Sequence, residues 1–220
     1  MRTLLVEMTF DFTCPWSLIG KRNLEKALQM LAGQYPEVNV QVNWLGIQLH
    51  PEIALEGVAF SEFHIRRLGG DVGMRAWKAE IAAAAEGVDH AVERIHVMPN
   101  TAYAHRVFAQ AARLGNEAKL GHLLNRMFAA HFHRGENLGR RESLRSLLRP
   151  CGYDPADFAE ALTDGVKHYA GRRVGLADIS VPLFSIDGEP VLVGPQTPKQ
   201  LLAALKWALK DHYRQLERRA

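Results

Sequence analysis

The sequence predicts an α/β fold that is interrupted by a long helical insertion. Two stretches with the alternating apolar pattern of β-strands lie towards the two ends of the chain, and helical spacing dominates between them. Proline and glycine turn signals separate these stretches from one another. We therefore predict an α/β domain formed by residues 1–50 and 179–220, and a helical insertion domain formed by residues 51–178.

The chain begins with a predicted strand–helix–strand unit. In the first strand the apolar side chains fall on one face, at Leu4, Val6, Met8 and Phe10. A helix is predicted from Pro15 onward, because proline lacks the N–H group that the first helical position leaves unbonded. The second strand has apolar residues at alternate positions, namely Val38, Val40, Val42 and Trp44. Such a unit predicts a parallel strand pair with a right-handed crossover.

The middle of the chain is rich in alanine, leucine and charged residues and contains no convincing strand pattern. The spacing of its apolar residues predicts helices near residues 60–69, 72–86, 101–114, 117–133, 140–149 and 155–176. The insertion is therefore predicted to be entirely helical.

The strand pattern returns over Val181–Ile186, and Asp187-Gly188 is a strong signal for a two-residue hairpin turn. The partner strand is predicted over Val191–Val193, and Pro190 at its start is typical of an edge strand. Thr197-Pro198 predicts the start of the final helix. The C-terminal part of the α/β domain is thus a strand–strand–helix unit.

Composition and charge exclude several classes of function. The chain has 220 residues, of which 47% are hydrophobic, and a net charge of +3 with dispersed basic residues, so we expect a folded protein that does not bind nucleic acid. We find no secretion signal and no stretch that could span a membrane. The two cysteines, Cys14 and Cys151, cannot form a disulfide scaffold, so a cytoplasmic location is expected. The tightest group of metal-ligand residues, His131, His133 and Glu136, lacks a zinc-site spacing, so no metal is predicted.

Cys14 is the residue with the clearest signal for chemistry. It follows the first strand and stands directly before the first helix, where unbonded N–H groups and the helix dipole favour a thiolate. A thiol with a lowered pKa supplies more nucleophile near neutral pH and is a better leaving group in disulfide exchange. The alternative is a buried, unreactive cysteine. The residues around Cys14 are compatible with both interpretations, a reactive thiolate and an unreactive thiol.

The segment Asp11-Phe12-Thr13-Cys14-Pro15-Trp16-Ser17-Leu18-Ile19-Gly20-Lys21 resembles the active-site segment of the FrnE-like branch of the DsbA family. That branch reads Asp-Phe-x-Cys-Pro-Trp-Cys-x-x-Gly-Lys. The resemblance continues at Pro99-Asn100-Thr101, Ala104-His105-Arg106, Val181-Pro182-x-Phe184-x-Ile186-Asp187-Gly188 and Gly194-Pro195-Gln196-Thr197-Pro198. It spans nearly the whole chain and implies a thioredoxin fold, βαβ followed by ββα, with a large all-helical insertion domain.

The resemblance also implies a set of site residues. Cys14 matches the attacking cysteine of the family, and Pro182 matches the cis-proline loop beside it. The preceding residue, Val181, then presents its backbone to a bound peptide or to glutathione. The implied substrate or glutathione site further includes Pro15, Trp16, Gly194 and Gln196. Glutathione is the expected co-substrate, and no tightly bound cofactor is expected.

The sequence departs from the family pattern at Ser17, where the second active-site cysteine normally stands. A serine cannot form a disulfide with Cys14, so an internal dithiol–disulfide cycle is excluded at this motif. Nothing in the sequence brings Cys151 near Cys14, and we interpret Cys151 as structural. The prediction is a thiol–disulfide oxidoreductase with a monothiol Cys-Pro-Trp-Ser site, in which Ser17 stabilises the Cys14 thiolate and mixed disulfides form with glutathione.

Two alternatives remain open at this point. Kappa-class glutathione transferases and 2-hydroxychromene-2-carboxylate isomerases resemble the same fold and often have serine at the position of Ser17, but they typically have serine at the position of Cys14 as well. The second alternative is a peptide-binding module that kept the fold and lost the chemistry, because function depends on the site rather than on the fold. The expected partners are protein or small-molecule thiols and disulfides, with a homodimer as a further possibility.

Overall fold

The computed structural model describes residues 2–85, 90–171 and 180–217. Within these ranges the elements are, in chain order, β1 (Arg2–Phe10), α1 (Pro15–Gln34), β2 (Val38–Gly46), β3 (Val58–Ala59), α2 (Phe60–Leu68), α3 (Asp71–Ala84), β4 (Val97–Met98), α4 (Ala102–Arg113), α5 (Glu117–Phe132), α6 (Arg141–Leu148), β5 (Leu183–Ile186), β6 (Glu189–Val193) and α7 (Pro198–Glu217). The mixed α/β class with many helices agrees with the predicted fold class.

The chain divides into two compact units. The α/β unit comprises the described parts of Met1–Phe10, Trp16–Leu45 and Val174–Ala220, and the helical unit comprises those of Asp11–Pro15 and Gly46–Arg173. This division differs from the predicted domains in one respect that matters for the site. The short segment that carries Cys14 groups with the helical unit, although it lies in the sequence between two elements of the α/β unit.

The sheet of the α/β unit has four strands in the order β2-β1-β5-β6. Strand β1 pairs antiparallel with β5, which places Val6 opposite Ile186 and Met8 opposite Phe184. The predicted hairpin is confirmed, because β5 and β6 pair antiparallel around Asp187 and Gly188, whose φ angles are 51° and 88°. The edge position of β6 agrees with the proline at its second residue.

The core of the α/β unit follows the predicted periodicities. Every second residue of β1 from Leu4 to Phe10 is buried, as alternation predicts. The helices contribute apolar residues at helical spacing, namely Leu24, Ala27 and Leu31 from α1 and Leu201, Leu202, Leu205 and Leu209 from α7. The α/β unit thus buries one face of each helix.

The helical unit confirms five of the six predicted helices, α2 to α6, with ends that differ by no more than two residues. The expectation of an entirely helical insertion is wrong in one detail, because β3 and β4 pair antiparallel. Each of these strands has only two residues, which is too short for an alternating pattern to appear in the sequence.

The predicted helix over 155–176 is wrong over its described part. Only Pro155–Phe158 forms a helical turn, of the 3-10 type, and residues 172–176 lie outside the described residues. The chain after Phe158 continues without helix, and the φ of Gly165 is +76°, a left-handed value that a continuing α-helix does not have. Beyond it, the carbonyl of Lys167 accepts from the Gln48 side chain and the N–H of Tyr169 donates to it, at 3.0 and 2.8 Å. These bonds replace the backbone bonds of a helix.

In the part of the chain that the structure describes, no helix combines the length and the apolar character that crossing a bilayer requires.

Helix α1 lies close to the loop before β5 at Gly20. A Cβ atom on Gly20 would lie 2.7 Å from Cγ of Pro182 and 3.2 Å from Cζ of Phe184. Gly33, near the end of the same helix, has nothing within 4 Å of its hypothetical Cβ. The absence of a side chain at Gly20 therefore lets the helix pack against the Pro182 loop, whereas Gly33 has no such constraint.

We expect Gly20→Ala to lower the free energy of unfolding by about 1–3 kcal/mol, because the new methyl group overpacks the Pro182 ring. Gly33→Ala is the matched control, and we expect it to raise that free energy by up to about 1 kcal/mol through its better helix propensity. Urea denaturation of both variants measures the difference. Equal effects of the two substitutions would contradict the close packing at Gly20.

Candidate active site

Cys14 lies in the short loop between β1 and α1, directly before the first helical residue, as the sequence predicts. Its N–H donates to the carbonyl of Asp11 at 3.2 Å, which closes a turn ahead of the helix. Cys14 is 8% exposed, and Ser17, the third residue of α1, is fully buried. The two residues are therefore separated by one turn at the helix N-terminus, where free backbone N–H groups favour an anion.

The carboxylate of Asp11 holds this loop in place within the helical unit. Its Oδ1 accepts from the backbone N–H and from the hydroxyl of Thr13, both at 2.8 Å. Its Oδ2 accepts from the backbone N–H of Leu49 at 2.8 Å and from the hydroxyl of Thr101 at 3.1 Å. One side chain thus joins the Cys14 turn to the segment after β2 and to the start of α4.

His105 of α4 completes the surroundings of Asp11. Its Nε2 lies 3.5 Å from Oδ2 of Asp11, and its ring centroid is 5.0 Å from that of Phe12. Burial alone would raise the pKa of Asp11, but the hydrogen bond and charge of His105, with the N–H groups of Leu49 and Thr13, lower it from 3.8 to about 2. Asp11 is therefore ionised at neutral pH although it is fully buried.

Asp11 and His105 are the positioning residues whose contacts sequence reasoning missed. Both lie in the segments that carry the family resemblance, but no role followed from their position there. A local signal existed for one of them, because an aspartate two residues before a threonine at a strand end is typical of an Asx turn. The partners at Leu49, Thr101 and His105 are distant in sequence, and no local pattern indicates them.

The predicted cis-proline loop lies in the α/β unit. The Val181–Pro182 peptide bond is cis, as the family resemblance implied. The carbonyl of Pro182 accepts from the N–H of Gly194 at 2.8 Å, and Gly194 has a φ of +80°. Val181 is 7% exposed. The structure therefore brings Gly194 to the cis-proline loop as a support for its backbone.

Gln196 is held against α1 in the same unit. Its carbonyl accepts from the Asn23 side chain at 2.9 Å, and its own amide donates to the carbonyl of Val193 at 2.7 Å. Pro15 and Trp16 are the first two residues of α1, and Trp16 is half-buried. Pro182 and Gln196 thus lie against α1 at Gly20 and Asn23, and Gly194 is bonded to Pro182. Contact of these three residues with a ligand stays a prediction.

Cys151 lies in surroundings unlike those of Cys14. It ends the short 3-10 turn Arg149–Cys151 and is 3% exposed. Burial raises the pKa of the Cys151 thiol, and the charge of Arg126 offsets this only in part. Neither cysteine forms a disulfide in the part of the chain that the structure describes. Cys151 is thus held in its protonated, less nucleophilic form.

The histidines considered as metal ligands do not converge. No group of three histidine, cysteine or carboxylate side chains suited to a metal occurs among the described residues. His131 is fully buried, and its ring lies edge-on to Phe132 at 4.8 Å. Burial lowers the pKa of His131 from 6.5 to about 4, although the Glu136 backbone and the Asp11 charge act in the opposite direction. His131 is therefore a neutral core residue at neutral pH.

We expect Asp11→Asn to lower the free energy of unfolding at pH 7 by about 3 kcal/mol. The substitution removes the buried negative charge, and the NH2 group of the asparagine faces groups that are themselves hydrogen-bond donors. The rate of Cys14 alkylation by iodoacetamide should change in the same variant, since the Cys14 turn loses its anchor. Asp157→Asn, at an exposed position of the same unit, is the control and should lie within about 0.5 kcal/mol of wild type. Equal stability of both variants would contradict the anchoring role.

We expect His131 to make the fold sensitive to acid. The unfolded chain takes up the His131 proton near pH 6.5 and the folded chain only near pH 4, so stability falls as pH decreases through this window. The contribution is at most about 3 kcal/mol. His131→Leu should remove this part of the pH dependence in urea denaturation at pH 4 to 7. His122→Leu, at an exposed position of α5, should keep it, and an unchanged slope in His131→Leu would refute the assignment.

The chain matches the DSBA-like thioredoxin domain family over residues 5–206. The uncharacterized protein YwbO of Bacillus subtilis (strain 168) is 26% identical over 199 residues, which cover 87% of this chain and 90% of that protein. The crystal structure of the probable DsbA oxidoreductase SCO1869 from Streptomyces coelicolor superposes with a TM-score of 0.79 at 23% identity, covering 94% of this chain and 90% of that chain.

Two further structures share the fold at lower identity. The cytosolic disulfide reductase DsbM from Pseudomonas aeruginosa, solved with GSH, has a TM-score of 0.58 at 16% identity and covers 94% of this chain and 99% of its own. The structure of a 2-hydroxychromene-2-carboxylate isomerase superposes with a TM-score of 0.56 at 18% identity, and the match covers 98% of this chain and 99% of that chain. The chain therefore belongs to the DSBA-like thioredoxin domain family, as the motifs around Cys14 and Pro182 implied.

Proposed function

We propose that this protein is a thiol–disulfide oxidoreductase in which Cys14 is the single reactive thiol and glutathione is the co-substrate. The observation that carries the proposal is the position of Cys14 directly before the twenty-residue helix α1, with Ser17 where the family has its second cysteine. Membership of the DSBA-like family supports thiol exchange as the class of chemistry. The proposal assumes the reducing, cytoplasmic setting that the sequence predicts.

The proposed reaction consists of two exchange steps. The Cys14 thiolate attacks the glutathione sulfur of a mixed disulfide R–S–S–G, forms the Cys14–glutathione disulfide and releases R–S⁻, which takes up a proton. A second glutathione thiolate then attacks the glutathione sulfur of that adduct, which releases oxidised glutathione and the Cys14 thiolate. The net reaction converts R–S–S–G and one reduced glutathione into R–SH and oxidised glutathione, in which one half is the glutathionyl group of the substrate and the other is the added glutathione.

Each predicted site residue has a role in the proposed reaction. The N-terminus of α1 stabilises the Cys14 thiolate through its unbonded N–H groups and dipole, and buried Ser17 contributes a hydroxyl one turn later. Val181 and Pro182 dock the backbone of the substrate, with Gly194 supporting their loop through its bond to the Pro182 carbonyl. Pro15, Trp16 and Gln196 border the glutathione site. The GSH in the DsbM structure supports this choice of co-substrate.

A glutathione-dependent isomerase or transferase is the second candidate. Ser17 favours it, since relatives of that kind often have serine at this position, and a 2-hydroxychromene-2-carboxylate isomerase shares the fold. In that case glutathione would bind without forming a disulfide, and the substrate would be an added electrophile. Cys14 argues against it, because a cysteine takes the place where those enzymes typically have serine.

The deciding measurement is intact mass after incubation with oxidised glutathione across a pH series. We expect one glutathionyl group to add to the wild type well below the ordinary thiol pKa of about 8.5, and excess reduced glutathione to remove it. Cys14→Ala should lose the adduct completely. Cys151→Ala is the matched control and should retain it, because burial keeps the Cys151 thiol protonated.

Other outcomes of this measurement would contradict the proposed exchange or favour the isomerase candidate. An adduct that forms only above the ordinary thiol pKa, or that persists in Cys14→Ala, would exclude the proposed exchange. Glutathione binding without any adduct, together with turnover of an added electrophile, would favour the isomerase candidate.

A further inference from the structure

A cavity of about 320 Å³ lies in the helical unit, between α4 and the segment that follows the 3-10 turn at Pro155–Phe158. Its lining includes Arg106, Arg113, Glu160, Val166, His168 and Tyr169. None of these residues has a part in the exchange reaction proposed for Cys14. The volume is at the lower end of the range of small-molecule sites.

Two arginines give the cavity its charge. Arg106 and Arg113 are seven residues apart on α4, so they share one face at a separation of about 10 Å along the helix axis. Arg106 donates to the carbonyl oxygens of Glu160 and Thr163, at 2.5 and 3.5 Å. Arg113 donates through its Nε to the side-chain oxygen of Gln110 at 3.1 Å.

These partners are neutral oxygen atoms, so they orient the guanidinium groups without cancelling their charge. Neither Arg106 nor Arg113 forms an ion pair with a carboxylate among the residues that the structure describes. The described lining holds one acidic side chain, that of Glu160, and two arginines. The cavity is therefore electropositive, and guanidinium groups are suited to binding a carboxylate.

The remaining walls are apolar and aromatic. Tyr169 stacks on His105 with ring centroids 5.1 Å apart and planes 21° apart, and its N–H is bonded to Gln48. Burial raises the pKa of Tyr169, while Arg113 acts against this, so the phenol remains protonated and can donate a hydrogen bond. Ala109, Ala161 and Val166 supply apolar surface. This combination fits a ligand with an anionic end and an apolar body.

We propose that this cavity binds a small organic carboxylate with an apolar or aromatic body, held at its charged end by Arg113 and Arg106. Tyr169 contacts the body of the ligand, and its fixed position reduces the conformational entropy lost on binding. The residues that line this cavity have no part in the proposed thiol chemistry. Its occupant need not contain sulfur.

The test is isothermal titration of the full chain with sodium benzoate, and with inorganic phosphate in a separate arm. We expect saturable benzoate binding at millimolar or lower concentration and weaker phosphate binding, because phosphate lacks the apolar body. Arg113→Gln should weaken benzoate binding about tenfold or more through loss of a charge-assisted hydrogen bond. The exposed Arg113 side chain is bonded to Gln110 of its own helix and to no other residue that the structure describes, so we expect the variant to fold.

Arg145→Gln, at an exposed position of α6, is the matched control and should leave benzoate affinity unchanged. The absence of saturable benzoate binding, equal affinity for benzoate in wild type and Arg113→Gln, or phosphate binding as tight as benzoate binding would each overturn the proposal. Benzoate contains no sulfur, so these outcomes are independent of the glutathione adduct at Cys14.

Discussion

The buried negative charge of Asp11 is the constraint on which the geometry around Cys14 depends. An isolated carboxylate at a fully buried position would cost several kcal/mol, so its hydrogen-bond donors are a condition of its ionised state. These donors come from the Cys14 turn itself, from Leu49 after β2, and from Thr101 and His105 at the start of α4. The loop that carries Cys14 is thereby held by residues of the helical unit, although it continues directly from a strand of the sheet.

This dependence gives a physical reason for the pattern of family resemblance. The segments around Asp11 and around Thr101 lie 90 positions apart, yet one carboxylate joins them. Asn100 adds a second junction, because its amide donates to the carbonyl of Ile53 at 2.6 Å and its oxygen accepts from the N–H of Ala102 at 2.9 Å. These bonds therefore hold the Cys14 loop, the start of α4 and the segment around Ile53 together within the helical unit.

The sequence predicted the structure correctly where that structure depends on a local pattern. Alternation in β1, the Asp187-Gly188 turn and Pro15 at the start of α1 each depend on neighbouring residues, and the structure confirms all three. The predictions that were wrong concern structure that depends on residues distant in sequence. The β3–β4 pair joins residues about forty positions apart, and the segment after Gly165 bonds to Gln48 rather than to itself. The role of Asp11 was missed for the same reason, since most of its donors are distant in sequence.

The surroundings of the two cysteines decide what kind of exchange the proposed site can perform. A second thiol one turn after Cys14 would supply an internal resolving group, but Ser17 stands there. Cys151 is a poor substitute, because burial raises its pKa and so reduces the thiolate that must attack a mixed disulfide. Within this proposal the resolving thiol has to come from solution. A small thiol such as glutathione meets that need better than a protein thiol, since Cys14 is only 8% exposed.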